Sequence, residues 1–345
     1  MSAKIRLLII DDSVLIRKML KEVFDSTADI EVIGMAADPF IARDKIKQLN
    51  PDVLTLDVEM PRMNGLQFLN NLMRLRPMPV VMVSTLTEAG APATLDALEM
   101  GAVDYIAKPQ AQNEQSFLAF AAALTEKVRM AANARVQPLK STKMLRPLPV
   151  VEASVSYRRW IAIGSSTGGT EAIREVLSRL PAHCPPIVIT QHIPAVFSAS
   201  LAMRLDRTLA IEVREACNGL EVRPGRAIIA HGDYHLRFRR EGQSYYCVLD
   251  DGEKVNRHRP SVEVMFDDLA EKLDSKYLVA VMLTGMGADG ARAMQRLHDA
   301  GAYTLAQDEA SSVVWGMPKA AVDLGAVDKI APLGRIAELM LEAAV

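Results

Sequence analysis

Short runs of β-branched and other apolar residues alternate with amphipathic stretches along most of this 345-residue chain. Five such runs lie between Ile5 and about Ala132, in the order IRLLII, EVIGMAA, DVLTLD, VVMVST and DYIAK. The rhythm resumes after Trp160 with WIAIG, PIVITQH, YLVAVMLTG and AYTLAQD. Because parallel strands require a helical crossover between them, this pattern predicts two α/β units, each built on a largely parallel sheet.

A basic interval separates the two units. From Lys127 to Arg159 there are eight basic residues against the single Glu152, with three prolines interspersed. We therefore predict domains at residues 1–125 and 159–345, joined by a basic, proline-containing linker at 126–158. A solvated tether is the simpler interpretation, and contact with an acidic partner or nucleic acid is the alternative.

A different pattern interrupts the second unit between Ile211 and Pro260. There the stretch AIIAHGDYHLRFRREGQSYYCVLD alternates apolar and polar residues around Glu241 and Gly242. Alternation with a period of two around a glycine turn predicts an antiparallel hairpin inserted into the α/β unit.

Composition excludes several classes of protein. The formal net charge of -2 lacks the basic excess of a dedicated nucleic-acid binder. No stretch approaches the ~18 uninterrupted apolar residues of a membrane span, so we expect a cytoplasmic protein with no direct membrane insertion. Cys184, Cys217 and Cys247 are odd in number and include no C-x-x-C pair, so we expect buried thiols rather than disulfides or a zinc site.

Polar side chains cluster after the predicted strands of the first unit. Asp11 and Asp12 follow the first strand, Asp57 ends the third, Ser84 ends the fourth and Lys108 follows the fifth. Since the carboxyl ends of parallel strands meet at one edge of a sheet, these groups should converge. Three carboxylates suit a hard cation such as Mg²⁺, and the lysine suits a phosphoryl group. Solvated or helix-capping side chains are the alternative, which explains any one residue better than the whole set.

This segment resembles the receiver domain of bacterial two-component response regulators through the stretches IIDDS, LTLDVEMPRMNG, MVST and AKP. The resemblance implies a flavodoxin-like fold with strand order 2-1-3-4-5, and phosphorylation of Asp57 by a histidine kinase. Asn64 stands where the family often has aspartate. The implied ligands are Asp11, Asp12 and Asp57 for Mg²⁺, with Ser84 as the switch hydroxyl and Lys108 on the phosphoryl group.

In the second unit, Gly164-Ser165-Ser166-Thr167-Gly168 follows a predicted strand. Read as G-x-S-x-G, it places Ser166 on a tight strand-to-helix turn that exposes a nucleophilic hydroxyl near amide donors. Read as a phosphate-binding loop, it fails because Thr170 stands where a lysine is required. A glycine-rich turn used only for packing is the remaining alternative.

A serine nucleophile needs a base, and the base needs a carboxylate to orient it. Of the six histidines, His192 is best placed, since it ends the strand PIVITQH at the same sheet edge as Ser166. Asp289 follows the strand YLVAVMLTG and can converge with both. The chain order Ser, His, Asp differs from that of α/β-hydrolases, which argues against that fold.

Two further patterns compete for function. Gly285-Met286-Gly287-Ala288-Asp289-Gly290 is a literal G-x-G-x-x-G with Asp308 downstream, which favours a dinucleotide site. The chain after Gly290 is too short to complete a six-stranded dinucleotide domain, which argues against it. His231 and His235 suggest a metal, but one strand face with no third ligand makes a structural role the better interpretation.

With these residues in place, the region from Trp160 onward resembles the chemotaxis protein-glutamate methylesterase/protein-glutamine glutaminase domain. The matching stretches are IAIGSSTGGTEAI, ITQHIP, AIIAHGDYH, HRPSVEVMF, VMLTGMGADGA and AQDEASSVVWGMPKAA. The resemblance implies a serine hydrolase that removes methyl groups from glutamates of methyl-accepting chemoreceptors and deamidates selected glutamines, with no cofactor for the hydrolytic step. It carries over the triad Ser166, His192 and Asp289, with Thr167 and Met286 as contributors to the oxyanion hole.

The same resemblance implies that the unphosphorylated receiver covers the active site and that phosphorylation uncovers it. Ser165 stands where the family often has alanine, so a second hydroxyl neighbours the predicted nucleophile. Two alternatives remain at this point: a response regulator whose output domain binds DNA, and a nicotinamide-dependent oxidoreductase that uses the glycine motif.

Overall fold

The computed structural model describes residues 3–84, 91–109, 114–136 and 157–345. The chain divides into two compact units, Met1–Ser141 and Thr142–Val345. Most of the predicted linker lies outside the described residues. The last helix of the first unit extends to Ala132, beyond the predicted domain boundary at residue 125.

The first unit contains a five-stranded parallel sheet in the order β2-β1-β3-β4-β5, which confirms the predicted topology. Leu7, Leu8, Ile9 and Ile10 of the first strand, which has a neighbour on each side, are essentially fully buried, as expected for a strand covered on both faces. Its strands are β1 (Ile5–Ile10), β2 (Ile30–Ala36), β3 (Val53–Asp57), β4 (Val80–Ser84) and β5 (Asp104–Ala107). Its helices are α1 (Val14–Asp25), α2 (Pro39–Leu49), α3 (Gly65–Leu75), α4 (Ala91–Glu99) and α5 (Glu114–Ala132).

Side chains in the loops after the strands cap the helices of this unit. The Ser13 hydroxyl accepts a bond from the Ile16 amide at the start of α1, and the Asn64 carbonyl oxygen accepts one from the Gln67 amide at the start of α3. Such caps satisfy amides that have no partner within the helix. Asn64 therefore caps α3, and the aspartate that the receiver family often has at this position could cap the helix equally well.

The second unit is built on a seven-stranded sheet in the order β15-β14-β13-β6-β7-β10-β8, and each strand pairing in it is parallel. The strands are β6 (Trp160–Ser165), β7 (Ile187–Gln191), β8 (Glu212–Glu215), β10 (Arg226–Ile229), β13 (Leu278–Met282), β14 (Tyr303–Gln307) and β15 (Lys329–Ala331). The helices are α6 (Gly169–Ser178), α7 (Ala195–Thr208), α8 (Val262–Lys272), α9 (Ala291–Asp299), α10 (Met317–Asp323) and α11 (Leu333–Ala344), with a 3-10 helix at Ser275–Tyr277.

The predicted insertion is an antiparallel sheet of β9 (Glu221–Val222), β11 (His235–Glu241) and β12 (Ser244–Asp250) in the order β11-β12-β9. The hairpin turns at Gly242, whose φ of 61° lies in the region that glycine adopts readily. The insertion is smaller than the interval from Ile211 to Pro260, since β8 and β10 within that interval join the main parallel sheet. Their short runs are too brief for periodicity to distinguish the two sheets.

The small sheet shares a core with the helix that follows it. Phe238 of β11 and Cys247 of β12 lie in one buried cluster with Val262 and Phe266 of α8. This packing holds the loop between β12 and α8 at a defined place against the parallel sheet.

Cys184 and Cys247 are buried, as expected, but Cys217 is exposed, so the prediction of three buried thiols is wrong for that residue. Cys217 lies just beyond β8, in a loop whose burial the sequence pattern does not report. In the described part of the chain, no helix is long and apolar enough to cross a membrane.

Candidate active site

The predicted nucleophile, base and carboxylate come from three neighbouring strands of the parallel sheet. Ser166 directly follows β6, His192 directly follows β7, and Asp289 lies in the loop between β13 and α9. Because β13, β6 and β7 are adjacent and parallel, their carboxyl ends lie along one edge.

His192 and Asp289 are in direct contact. His192 Nε2 lies 2.8 Å from Asp289 Oδ2, and the two side chains are only 7% and 2% exposed. Asp289 also accepts bonds from Asn256 Nδ2 and Ser261 Oγ, both at 2.8 Å, and from the Val262 amide at 2.7 Å. The carboxylate is thus held by four donors.

These donors decide the charge of Asp289. Burial by itself raises the pKa of the carboxyl group, but the bonds from His192, Asn256 and Ser261 outweigh burial and bring the pKa down to about 2. The ionised carboxylate can only accept, so the proton of the neutral imidazole lies on Nε2. Nδ1 then carries the lone pair, and it is buried with no hydrogen-bond partner among the described residues. This is the nitrogen available to act as a base.

Ser166 is held by its backbone. Its amide donates to the Thr284 carbonyl at 3.0 Å, and its carbonyl accepts from the Gly169 amide at 2.7 Å. Thr284 Oγ1 also donates to the Thr167 carbonyl at 3.0 Å. Thr284, in the loop after β13, therefore bonds to two consecutive residues of the turn that carries Ser166, which we call the serine turn. A Cβ at Gly285 would lie 2.8 Å from Ser166 Cβ, which shows how closely the two loops approach.

The neighbouring hydroxyl of Ser165 has a different role. Ser165 is fully buried, and its Oγ donates to Gln191 Oε1 at 2.6 Å. The Gln191 amide nitrogen donates in turn to the carbonyl of Ser166 at 2.8 Å and to that of His192 at 3.3 Å. Ser165 therefore helps to fix the two strand ends that carry Ser166 and His192.

Sequence reasoning missed Gln191, Thr284, Asn256 and His258. The His258 ring stacks on that of His192, with centroids 3.7 Å apart and planes 8° from parallel. Both Asn256 and His258 belong to the loop after β12, whose apolar alternation had suggested only an insertion. The stretch HRPSVEVMF, which carries part of the family resemblance, was the signal that could have drawn attention to His258.

The contacts of the glycine motif are those of packing around the serine turn. A Cβ at Gly164 or Gly290 would lie 2.4 Å from Val262 Cγ1, and Gly290 has a φ of 84° where α9 begins. Asp308, the downstream acid of the dinucleotide pattern, accepts from the amide and hydroxyl of Ser311 at 2.9 and 2.6 Å. These contacts give Gly290 and Asp308 structural roles that need no nucleotide.

His235 is likewise engaged by backbone groups. Its Nδ1 accepts from the Ser261 amide at 3.2 Å, so Nε2 carries the proton and donates to the Glu253 carbonyl at 2.9 Å. These bonds agree with the structural role predicted for this histidine, since neither ring nitrogen is left for a metal.

In the first unit the five predicted side chains lie at one sheet edge. Oxygens of Asp11, Asp12 and Asp57 all lie within 4.8 Å of one another. Lys108 Nζ lies 2.7 Å from Asp57 Oδ2 and 2.9 Å from Asp11 Oδ2. Ser84 is buried at the end of β4, and its backbone carbonyl accepts a hydrogen bond from the Lys108 amide at 2.9 Å.

The electrostatics of this cluster suit a divalent cation. Burial, aided by the nearby Asp11 carboxylate, raises the pKa of Asp57 to about 6 although Lys108 opposes the shift. Converging carboxylate oxygens that repel one another are the hard donors that Mg²⁺ prefers. The residues present therefore fit the ion that the sequence predicted.

Comparisons with known proteins agree for both units. The family model described as CheB methylesterase matches residues 161–340, and that described as response regulator receiver domain matches residues 7–116. The chain is 51% identical, over 98% of its length and 96% of the relative's, to the protein-glutamate methylesterase/protein-glutamine glutaminase 1 of Xanthomonas euvesicatoria pv. vesicatoria. It is 52% identical to the protein-glutamate methylesterase/protein-glutamine glutaminase of Pectobacterium atrosepticum, over 98% of this chain and 97% of that one.

A solved structure is similar to the second unit. The crystal structure of the Thermotoga maritima CheB methylesterase catalytic domain is 40% identical, with a TM-score of 0.52, and the match covers 55% of this chain and 99% of that one.

Proposed function

The chain belongs to the CheB methylesterase family and also carries a receiver domain, and on this basis we propose that Ser166, His192 and Asp289 form its catalytic triad. Its activity is the one named in its relatives: it is a protein-glutamate methylesterase and protein-glutamine glutaminase, a hydrolase serving chemotactic adaptation. The observation that carries the triad is the His192–Asp289 bond. It leaves Nδ1, which has no hydrogen-bond partner among the described residues, as the base at the sheet edge where Ser166 lies.

In the proposed reaction, His192 Nδ1 takes the Ser166 hydroxyl proton as Oγ attacks the γ-carbonyl carbon of a glutamate methyl ester. The tetrahedral intermediate collapses, the bond to the methoxy oxygen breaks, and His192 returns its proton so that methanol leaves. Water then attacks the acyl-enzyme with His192 again as base, which releases glutamate and restores Ser166. For glutamine the same steps release ammonia.

The other residues support this sequence. Asp289, held ionised by its four donors, fixes the imidazole orientation and stabilises the imidazolium. We assign the oxyanion hole to the backbone amides of Thr167 and Met286, which belong to the two loops that meet at Ser166.

We further propose that Asp57 accepts a phosphoryl group from a chemotaxis histidine kinase, and that chemoreceptors are the protein substrates. Asp11, Asp12 and Asp57 would hold Mg²⁺, and the bound ion would stabilise the negative charge of the phosphoryl group. Lys108 lies between Asp57 and Asp11 and would pair with the phosphoryl oxygens, while Ser84 would supply the switch hydroxyl.

The triad is tested by methanol release from methylated receptor membranes. Ser166→Ala should abolish release, because the acyl-enzyme cannot form. Ser165→Ala, the matched control on the adjacent residue, should retain most activity, because the Ser165 hydroxyl is bonded to Gln191 and only positions the turn. If Ser165→Ala is inactive and Ser166→Ala is active, the assignment of the nucleophile is wrong.

A further inference from the structure

The loop that supplies Asn256 and His258 to the catalytic pair is a tight two-residue turn. The His258 amide donates to the Val255 carbonyl at 2.9 Å, and the Val255 amide donates to the His258 carbonyl at 3.1 Å. The two central residues, Asn256 and Arg257, have φ values of 52° and 71°. Two positive φ angles between such a bonded pair are the mark of a type I′ turn.

Arg257 is an unexpected residue at its position in this turn. The second central position of a type I′ turn is the one where glycine is strongly preferred, because a side chain in left-handed backbone costs roughly 1–2 kcal/mol. The first position suits asparagine, which Asn256 satisfies. The chain thus has a long cationic side chain at a position where the backbone conformation favours glycine. Backbone strain of this kind is concentrated at functional sites.

The two neighbours of Arg257 both contact the proposed catalytic machinery. Asn256 Nδ2 bonds to Asp289 Oδ1 at 2.8 Å, and the His258 ring stacks on His192 at 3.7 Å. The turn therefore lies directly against the pair, and Arg257 stands at its tip.

The guanidinium of Arg257 is available for a ligand. Arg257 is exposed and forms no hydrogen bond or ion pair with any residue in the described ranges. Arg259, two residues on, instead donates to the carbonyls of Asp251 and Gly252, which closes the base of the loop. Of the two arginines, Arg259 is thus held by the loop backbone, whereas the described residues leave the Arg257 guanidinium unbonded.

Resting on the proposed function, we propose that Arg257 binds a carboxylate of the substrate peptide close to the scissile ester. The ester itself is neutral, so the ligand is the side chain of an unesterified glutamate or aspartate that flanks it. The preferred substrate class is then an acidic peptide, and recognition acts through a charge-assisted bond of guanidinium to carboxylate.

The test compares two synthetic peptides that each carry one glutamate γ-methyl ester. In one the ester is flanked by glutamates, and in the other by alanines. Methanol release by the full-length protein, with Mg²⁺ and acetyl phosphate present, gives the ratio of kcat/KM for the acidic peptide to that for the alanine peptide. We expect the wild type to favour the acidic peptide by about fivefold, mainly through a lower KM, and added salt to reduce the preference.

Three variants distinguish charge from structure. Arg257→Gly removes the charge but supplies the residue that the turn prefers, so its melting temperature should not fall while the ratio drops towards one. Arg257→Lys should keep part of the preference. Arg207→Ala removes an exposed arginine from the last turn of α7, and should leave the ratio at its wild-type value.

The outcomes separate this inference from the function on which it rests. If Arg257→Gly keeps the wild-type ratio of kcat/KM between the two peptides, or if Arg207→Ala lowers that ratio as much as Arg257→Gly does, the proposed role of Arg257 is wrong. Neither result contradicts the esterase activity. Failure of the wild type to release methanol from either peptide counts against the proposed function, and the role of Arg257 is then withdrawn with it.

Discussion

At the scale of single residues, the proposed chemistry depends on which nitrogen of His192 carries the proton. Asp289 bonds to Nε2, so Nδ1 is left as the base, and the stacked ring of His258 limits rotation of the imidazole. The carboxylate is buried, yet its four donors keep it ionised. The donors to Asp289 and the ring stacked on His192 both have measurable consequences.

The first concerns the pH dependence of stability. The folded-state pKa of Asp289 is about 2, below its ordinary value of 3.8, so its ionised form stabilises the fold above pH 4 and this contribution is lost as the pH falls towards 2. The shift corresponds to about 2 kcal/mol. Asp289→Asn should therefore be less stable than the wild type at pH 7, and the gap in urea unfolding midpoint should narrow between pH 4 and pH 2. A gap that stays constant over this range contradicts the assignment.

The second concerns the stacked histidines. His258→Ala removes the ring that lies against His192, and stacked aromatic pairs contribute about 0.5–1.5 kcal/mol, so we expect kcat for methanol release to fall about fivefold. His258→Phe keeps an aromatic face and should retain most of the activity. Equal losses in the two variants would mean that a polar atom of His258, rather than its stacking, is what the reaction needs.

At the scale of elements, the site is made where loops after parallel strands approach one another without side chains between them. The β13 loop reaches the serine turn at Gly285, and Val262 at the start of α8 fills the space left by Gly164 and Gly290. The side chains of Thr284 and Gln191 then join the three strand ends, because each donates a hydrogen bond to a backbone carbonyl of the serine turn.

This close approach makes Gly285 sensitive to a single methyl group. In Gly285→Ala the new Cβ would lie 2.8 Å from Ser166 Cβ and 2.4 Å from Met317 Sδ, so the serine turn must move. We expect at least a tenfold loss of methanol release, because small misplacements of a nucleophile are costly. Gly334→Ala, where the nearest atoms lie at 3.7 Å, is the control and should keep wild-type activity. Full activity in Gly285→Ala would show that the turn tolerates displacement.

At the scale of the whole molecule, two complete α/β units each bear their own site at the carboxyl edge of their own sheet. The receiver unit holds an aspartate cluster suited to phosphorylation, and the second unit holds the proposed triad. The family resemblance predicts that the first site controls the second.

A truncated protein tests that control. If the unphosphorylated receiver inhibits, a chain that begins near Val155 should release methanol faster than the unphosphorylated full-length protein and should not respond to acetyl phosphate. A coupling of ~1–3 kcal/mol corresponds to about 5–150-fold in activity. Full-length Asp57→Ala is the control and should stay at low activity with the phosphodonor. A truncated protein no faster than the intact one refutes inhibition, and leaves activation by phosphorylation as the mechanism to pursue.

Much of the architecture could be predicted because local pattern carries it. Runs such as LLII and LVAVM are apolar throughout, since strands of a parallel sheet are buried on both faces. The strand order of the first sheet, which the receiver resemblance implies, is confirmed. The candidate residues Ser166, His192 and Asp289 were found because parallel strands present their carboxyl ends at one edge. The short strands β8 and β10 were not assigned to the parallel sheet, because four residues hold too little periodicity to name their neighbours.

The sequence by itself determined the two α/β units, the family, and the strand ends where chemistry was to be sought, because these depend on residue type and spacing along the chain. Only the tertiary structure decided which nitrogen of His192 bonds to Asp289, that Ser165 bonds to Gln191, and that Asn256 and His258 place Arg257 beside the proposed triad. Those facts depend on distances between segments far apart in the chain. No local pattern encodes such distances, since they are set by how helices, sheets and loops pack together.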